Sequence, residues 1–195
     1  WQLEPVERAE AGVELRVTGA DPLGEEFALL KEGFLTPPSI QLLRSNGSRI
    51  VLDRTTSGFD PSTHAVEVRS ARASGGGSID YILIAPKQRH GPVPTLMTGY
   101  GAFGISLSPA YPTTATGQFY GGATLQLWFQ RGGALVVPAI RGGGERGEAW
   151  HRAAMGANRQ RSYDDFIAVA SDLVRLGITD PKHLGVFGTS NGGLL

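Results

Sequence analysis

Hydrophobic residues in the first sixty positions occur in short runs separated by turn-forming residues, and none of these runs has helical periodicity. The pattern predicts extended strands at residues 13–17, 27–31, 40–43 and 50–53. Asn46 and Gly47 lie between the last two runs, and Asn-Gly favours the positive φ angles of a tight hairpin. We therefore predict an antiparallel meander that ends a larger all-β domain, because so few strands do not close a stable unit alone.

A different pattern begins near Thr63, where longer apolar runs lead into alternating strand and helix signals. Strands are predicted at residues 65–73, 79–85, 93–97, 134–137 and 184–187, with a glycine-rich hairpin tip at 74–78, and helices are predicted at 124–131 and 163–176. This alternation implies a parallel sheet with right-handed crossovers, whose ligand site lies beyond the C-terminal ends of the strands.

The helix predicted at residues 163–176 has the clearest periodicity, with its apolar residues largely on one face. Ser162 is predicted to cap its start, and Gly177 is predicted to end it. Asp164 and Asp165 would then lie in the first turn, where the helix dipole favours negative charge. We interpret these two carboxylates as electrostatic rather than catalytic.

A nucleophile elbow is indicated by Gly188-Thr189-Ser190-Asn191-Gly192, which fits the GxSxG pattern and follows the apolar run 184–187. In such an elbow the serine occupies a sharp, strained strand-to-helix turn, and the flanking glycines relieve the crowding around it. Ser190 is therefore the candidate nucleophile, and five residues follow it in this chain.

The amino-acid composition excludes several kinds of partner and of catalytic chemistry. The 18 acidic and 18 basic residues balance, so nothing indicates a nucleic-acid or membrane-surface partner. The absence of cysteine excludes disulfides, thiolate catalysis and cysteine zinc sites. No P-loop or HExxH motif occurs, so no cofactor and no metal are expected, and Arg141 and Glu145 in the Arg-Gly-Gly-Gly-Glu segment are expected to pair with each other.

No stretch of the chain is long and apolar enough for a membrane span. Residues 1–5 have neither the basic nor the apolar region of a signal peptide. We expect a cytoplasmic protein, unless a leader precedes Trp1; the sequence leaves the oligomeric state open.

Three segments occur in order at residues 99–106 (Gly-Tyr-Gly-Ala-Phe-Gly-Ile-Ser), 140–145 (Ile-Arg-Gly-Gly-Gly-Glu) and 189–195 (Thr-Ser-Asn-Gly-Gly-Leu-Leu). Gly-Glu-Ala-Trp-His at 147–151, Tyr-Asp-Asp-Phe at 163–166 and Gly-Phe-Leu-Thr-Pro-Pro at 33–38 accompany them. Together these motifs resemble the prolyl oligopeptidase family of serine peptidases, over nearly the whole chain.

The resemblance implies an α/β fold in which an incomplete α/β-hydrolase domain follows the all-β end of a β-propeller. Residues 1–60 would be the C-terminal part of the propeller, and residues 61–195 the N-terminal part of the catalytic domain. It also implies hydrolysis of short peptides, often after proline, by a serine, aspartate and histidine triad.

Each candidate site residue has a counterpart in the family's motifs. Ser190 would attack the scissile carbonyl, and the backbone N–H of Asn191 would donate to the resulting oxyanion. Tyr100 matches the tyrosine whose hydroxyl supplies the second donor, and Phe103 matches an aromatic residue that lines the proline pocket. Ala102 departs from the usual glycine, a change that is tolerable unless that position needs a positive φ.

The general base is expected outside these 195 residues, because the acid and histidine of α/β-hydrolases follow the nucleophile in the chain. His64, His90, His151 and His183 all precede Ser190. His183 would lie at the opposite end of the last strand, more than about 10 Å away at roughly 3.3 Å per residue. The chain alone is therefore predicted to be inactive.

The sequence is also compatible with other functions. The family includes peptidases with basic-residue or aminopeptidase specificity, and an esterase can share the hydrolase fold. A non-catalytic truncated module is the alternative from another class. More β repeats before residue 1 would favour a peptidase, since a propeller restricts entry to small peptides.

Overall fold

The structure is a computed structural model that describes residues 7–195, so the leader prediction for residues 1–5 lies outside the described residues. The N-terminal sheet contains four antiparallel strands in sequential order. These strands are β1 (Val13–Ala20), β2 (Phe27–Gly33), β3 (Ser39–Leu43) and β4 (Arg49–Arg54). All four predicted strands are confirmed. The hairpin at Gly47 is confirmed too, since Gly47 has φ +77° and the Arg44 amide donates to the Ser48 carbonyl at 3.0 Å.

The second sheet contains five strands in the order β5-β6-β8-β7-β9. They are β5 (His64–Arg72), β6 (Ser78–Pro86), β7 (Thr95–Met97), β8 (Ala134–Pro138) and β9 (Leu184–Val186). β7 runs parallel to both β8 and β9, whereas β5, β6 and β8 pair antiparallel. The prediction of a parallel sheet was therefore right only for its C-terminal half. The hairpin β5–β6, whose tip was predicted at residues 74–78, is confirmed and supplies an antiparallel half of the sheet.

In the described part of the chain, four α-helices connect or follow these strands: α1 (Ala123–Gln130), α2 (Glu148–Arg152), α3 (Gln160–Arg175) and α4 (Asn191–Leu194). Single 3-10 turns lie at Pro61–Thr63, Thr116–Tyr120 and Gly156–Asn158. Within residues 7–195, no helix is both long and apolar enough to cross a bilayer.

Two hydrophobic clusters cover opposite faces of the second sheet. Along β8, Val136 belongs to the cluster that contains Val169 and Leu173 of α3, whereas Leu135 belongs to the cluster that contains Phe129 of α1. Successive strand residues point to opposite faces, so a fully apolar strand such as β8 must be covered on both sides. Burying each such side chain stabilises the fold by about 1.5–3 kcal/mol.

The N-terminal sheet contributes to the second of these clusters through Phe34, which follows β2 and is fully buried. The Phe34 ring packs edge-on against Tyr120, with 4.9 Å between ring centroids. Phe59 joins the same cluster, 5.4 Å from the Phe129 ring. Aromatic contacts thus attach the meander to the five-stranded region.

Helix α3 begins three residues before the predicted start, and this displaces the predicted cap. Ser162 lies inside the helix, and its hydroxyl donates to the Arg141 carbonyl at 2.6 Å, so the prediction of an N-cap was wrong. Gly177 does end the helix as predicted, because it has φ +66° and the next amide, of Ile178, donates back to the Leu173 carbonyl at 3.0 Å.

Asp165 was also misinterpreted, because it does not lie in the first helical turn and does not serve the helix dipole. Its side chain is completely buried and accepts hydrogen bonds from the Arg141 backbone amide at 3.0 Å and from the Arg141 guanidinium at 2.5–3.1 Å. The pair fixes the loop after β8 to α3. Hydrogen bonding to Asp165 raises the pKa of Arg141.

Candidate active site

Ser190 lies between β9 and α4, on a turn with a strained backbone. Its φ and ψ are +56° and −125°, and its side chain is exposed. Among the described residues, Ser190 and Phe103 are the two non-glycine residues with positive φ. L-residues rarely adopt this conformation, and such strain concentrates at functional sites. The predicted strand, turn and helix around Ser190 are confirmed.

Glycine is required on both sides of this turn. A Cβ atom added to Gly188 would lie 2.1 Å from the Gly192 carbonyl oxygen, and one added to Gly192 would lie 2.5 Å from the Gly99 carbonyl oxygen. Both distances are shorter than any real contact, so larger residues would force the backbones apart. The second contact also brings residues 99–104, which we call the glycine loop, against residues 188–192, which we call the serine turn.

Asn191 is the first residue of α4, so its backbone N–H is one of the helix N-terminal amides that have no carbonyl partner within the helix. The side chain of Asn191 is engaged on both atoms. Its Nδ2 donates to the Tyr100 carbonyl, and its Oδ1 accepts from Arg159 Nη2 at 3.1 Å. Asn191 thus joins the serine turn to the glycine loop.

The glycine loop holds Tyr100 in a largely buried position, 6.3 Å from the Phe103 ring. Within residues 7–195, no hydrogen-bond partner is found for the Tyr100 hydroxyl. Gly101 and Gly104 have φ of +60° and +64°, whereas Ala102 is absent from the positive-φ residues. The alanine at this position therefore imposes no backbone strain.

Phe103 is 73% exposed and has φ +57°, so a large apolar side chain is held outward by a strained backbone. It borders an open cavity of about 260 Å³ beside the serine turn. The cavity lining includes Phe103, Gly142, His151, Met155, Arg159 and Asn191. An apolar wall, with Met155 also 51% exposed, suits the binding of an apolar group.

The histidines of the chain have other partners. His183 contacts Asp180 at 2.7 Å and precedes β9, where its carbonyl accepts from the Thr95 amide at the start of β7, so the prediction of its place at the far strand end is confirmed. His151 Nδ1 lies 2.7 Å from the Gly142 carbonyl oxygen. Throughout the described chain, no hydrogen bond connects the Ser190 hydroxyl to a histidine or a carboxylate.

His64 is buried, with Nε2 3.1 Å from the Gly133 carbonyl oxygen, and its pKa is lowered by this burial. His90 lies on the exposed loop that follows β6. Neither ring has a described contact with the serine turn.

The expected ion pair of Arg141 with Glu145 does not form, because Asp165 holds the guanidinium. Glu145 instead accepts from the Leu107 amide at 3.3 Å through Oε1, while its buried Oε2 has no partner among the described residues. Burial raises the pKa of this carboxyl group. No group of three or more His, Cys, Asp or Glu side chains within residues 7–195 is arranged to hold a metal ion.

Sequence reasoning missed Arg159, which directly precedes α3 and connects three segments of the site. Its guanidinium donates to the Gly101 carbonyl, to Ser162 Oγ at 3.1 Å and to Asn191 Oδ1 at 3.1 Å. No periodicity or motif distinguishes this arginine from the neighbouring Arg161, so only the tertiary structure identifies it.

A strained serine between a short strand and a helix, with obligatory glycines at 188 and 192, has the backbone geometry of a nucleophile elbow. Residues 119–195 match the family described as the prolyl oligopeptidase family. The chain is also 36% identical to an uncharacterized peptidase of Sinorhizobium fredii over 93% of its length, and 32% identical to a prolyl endopeptidase of Elizabethkingia meningoseptica over 83%. Residues 119–195 thus carry the match to the prolyl oligopeptidase family, and the similarity to peptidases named above extends over most of the chain.

Solved structures agree with this assignment. A structure from work on two prolyl endopeptidases superposes with a TM-score of 0.84 at 28% identity, covering 98% of this chain and 27% of the other. Oligopeptidase B from Leishmania major superposes with a TM-score of 0.79 at 26% identity, covering 97% of this chain and 26% of the other. The chain spans about a quarter of the length of its curated relatives, 24% and 22% for the two named above.

Proposed function

We propose that Ser190 is the nucleophile of a serine oligopeptidase that hydrolyses short peptides, preferably after proline, through an acyl-enzyme. The observation that carries this proposal is the left-handed backbone of Ser190 between β9 and α4, inside the segment that matches the family. A strained elbow exposes the hydroxyl at the C-terminal end of the sheet, where a substrate carbonyl can approach it.

The two sheets support a division of the chain into two domains. We infer that residues 1–60 are the C-terminal part of a β-propeller and that residues 61–195 are the N-terminal part of an α/β-hydrolase catalytic domain. An antiparallel four-stranded meander is the unit of a propeller blade, and a mixed sheet with helices on both faces that leads into an elbow is typical of the hydrolase.

The oxyanion of the tetrahedral intermediate would be held by two donors, the Asn191 backbone N–H and the Tyr100 hydroxyl. The amide has no carbonyl partner within α4 and lies next to the nucleophile. The tyrosine hydroxyl has no described partner that competes for its proton. Loss of one such donor typically costs about 3 kcal/mol of transition-state stabilisation.

Phe103 would contact the substrate residue before the scissile bond. The ring is exposed beside the cavity, and an apolar ring stacks well on a pyrrolidine. The backbone strain of a non-glycine residue at φ +57° costs about 1–2 kcal/mol. Strain of this kind is concentrated at functional sites, which supports a substrate-binding role for Phe103.

The 195 residues alone are expected to turn over little or no peptide. A serine hydroxyl is a weak nucleophile until a base accepts its proton, and no described histidine bonds to Ser190. In the family pattern, the aspartate and histidine that activate the serine follow it in the chain.

The proposal is tested by fluorophosphonate labelling of the intact protein from its source, compared with its Ser190→Ala variant on a denaturing gel. A band that requires Ser190 supports the nucleophile, and equal labelling of the variant contradicts it. A peptide panel with proline, arginine or a free N-terminal residue before the cut then decides specificity. A preference for arginine would overturn the post-proline assignment, and cleavage of simple esters without peptides would indicate an esterase.

A further inference from the structure

We propose that Arg159 is a positioning residue that holds the two oxyanion donors in register by bridging the glycine loop and the start of α4. This inference rests on the proposed function. Its basis is a juxtaposition: one guanidinium hydrogen-bonds both to the residue that follows Tyr100 and to the residue that follows Ser190.

The bonds of Arg159 divide between its two terminal nitrogens. Nη1 donates to the Gly101 carbonyl and, at 3.1 Å, to Ser162 Oγ, while Nη2 donates at 3.1 Å to Asn191 Oδ1. Ser162 in turn donates to the Arg141 carbonyl at 2.6 Å. A planar fork with fixed donor directions therefore sets the distance between two backbone segments from separate parts of the chain.

The three acceptors of Arg159 carry no formal charge. They are neutral oxygens, and the described part of the chain contains no salt bridge to Arg159. The guanidinium also lies over the Tyr163 ring, 5.3 Å from the centroid, which supports a fixed orientation. Three neutral acceptors and an aromatic face suit a geometric role better than charge neutralisation.

A direct bond reinforces this bridge. Asn191 Nδ2 donates to the Tyr100 carbonyl, so the two residues that carry the oxyanion donors are joined to each other. Arg159 fixes the opposite end of the same amide through Oδ1. Removing the guanidinium would free the amide to rotate, and both donors would lose their common support.

Loss of this support should lower turnover rather than substrate affinity, because oxyanion donors bind the transition state more strongly than the ground state. Small misplacements of such groups cost large factors in rate. Replacing Arg159 with methionine keeps the apolar stem and removes all three bonds. We expect about a tenfold or greater fall in kcat with KM changed by less than about twofold.

The experiment measures kcat and KM for Arg159→Met and Arg159→Lys in the intact protein, with active sites counted by completed fluorophosphonate labelling. Counting sites removes any effect of a smaller folded fraction. Arg161→Met is the matched control, since Arg161 lies two residues away, is exposed, and among residues 7–195 bonds only to the Ala153 carbonyl. Lysine cannot bridge both acceptors, so we expect it to restore the rate only in part.

A double-mutant cycle with Tyr100→Phe isolates the positioning role from a merely structural one. If Arg159 acts through the oxyanion donors, Arg159→Met should cost clearly less in the Tyr100→Phe background than in the wild type. Additive losses, an effect confined to KM, or a kcat equal to that of Arg161→Met would each overturn the inference. Peptide hydrolysis that survives Ser190→Ala would instead contradict the proposed function, and the two failures are thus distinguishable.

Discussion

The two sheets of this chain are built on opposite principles. All six residues of β4 at the edge of the N-terminal sheet are exposed, whereas all five residues of β8 in the five-stranded sheet are buried. β4 includes Ile50, Val51 and Leu52 among its exposed residues, so its apolar content alone does not place it in a core. Coverage by helices on both faces makes the second sheet the rigid platform, and the serine turn extends from that platform.

The charged groups of the two regions differ in the same way. Glu7, beside the N-terminal sheet, accepts hydrogen bonds from Lys31 at 3.3 Å and from Arg49, and all three side chains are partly exposed. In the second region Asp165 is completely buried, and its partner Arg141 is 11% exposed. Exposed pairs contribute about 0–1 kcal/mol, whereas breaking a buried pair costs about 3–5 kcal/mol. We therefore expect mutations of the buried pair to lower the stability more than mutations of the exposed pair.

The largest effect is expected for Asp165→Asn, which leaves the Arg141 guanidinium without its counter-charge. We expect the free energy of unfolding to fall by about 3–5 kcal/mol. Asp164→Asn is the control at the adjacent position, where the carboxylate accepts from the Gln160 side chain and from no other group in the described part of the chain. It should change stability by less than about 0.5 kcal/mol. Equal effects in urea unfolding would contradict the importance of the buried pair.

A slightly smaller loss, about 3 kcal/mol, is expected for Phe34→Ala, because this ring attaches the N-terminal sheet to the second cluster. Leu52→Ala on the exposed face of β4 should change stability by less than about 0.5 kcal/mol. Limited proteolysis provides the local readout. Cleavage within residues 13–54 should accelerate in the Phe34 variant, and unchanged cleavage would show that other contacts hold the sheet.

The smallest effects concern pH, and their signs are opposite in the two regions. Burial raises the pKa of Glu145, so its ionisation destabilises the fold as pH rises through that pKa. Glu145→Gln should therefore stabilise the protein by about 1 kcal/mol at pH 7, and the gain should vanish below the ordinary carboxyl range.

Glu7 should behave in the opposite sense, because the hydrogen bond from Arg49 lowers its pKa. Its contribution is present at neutral pH and is lost as pH falls through that lowered value. Glu7→Gln should cost a few tenths of a kcal/mol at pH 7 and nothing in acid. Unfolding curves from pH 3 to 8 test both variants, and the same sign for both would contradict the assigned environments.

Much of the fold could be predicted from the sequence, because its elements carry local signals. The four N-terminal strands, the hairpin at Gly47, helix α3 and its end at Gly177 all follow from periodicity and turn chemistry. The antiparallel pairing of β6 with β8 could not be predicted, since it joins residues more than fifty positions apart and leaves no local pattern.

The residues of the site also differ in whether local sequence signals reveal them. The serine turn was predictable because its glycines and strand are contiguous in sequence. Ser162, Asp165 and Arg159 were not, because each acts on a partner more than twenty residues away. Asp165 illustrates the difficulty: a carboxylate near a helix start has a ready local explanation, and only burial against Arg141 reveals the longer-range one.

The left-handed backbone at Ser190 also limits which side chains could replace this serine in evolution. Threonine carries the same hydroxyl, but a β-branched side chain is poorly tolerated at positive φ. Cysteine is unbranched and fits the same turn. A thiol at this position is therefore one substitution away, whereas a threonine would require a rebuilt turn. The geometry that exposes the Ser190 side chain thus constrains its replacement.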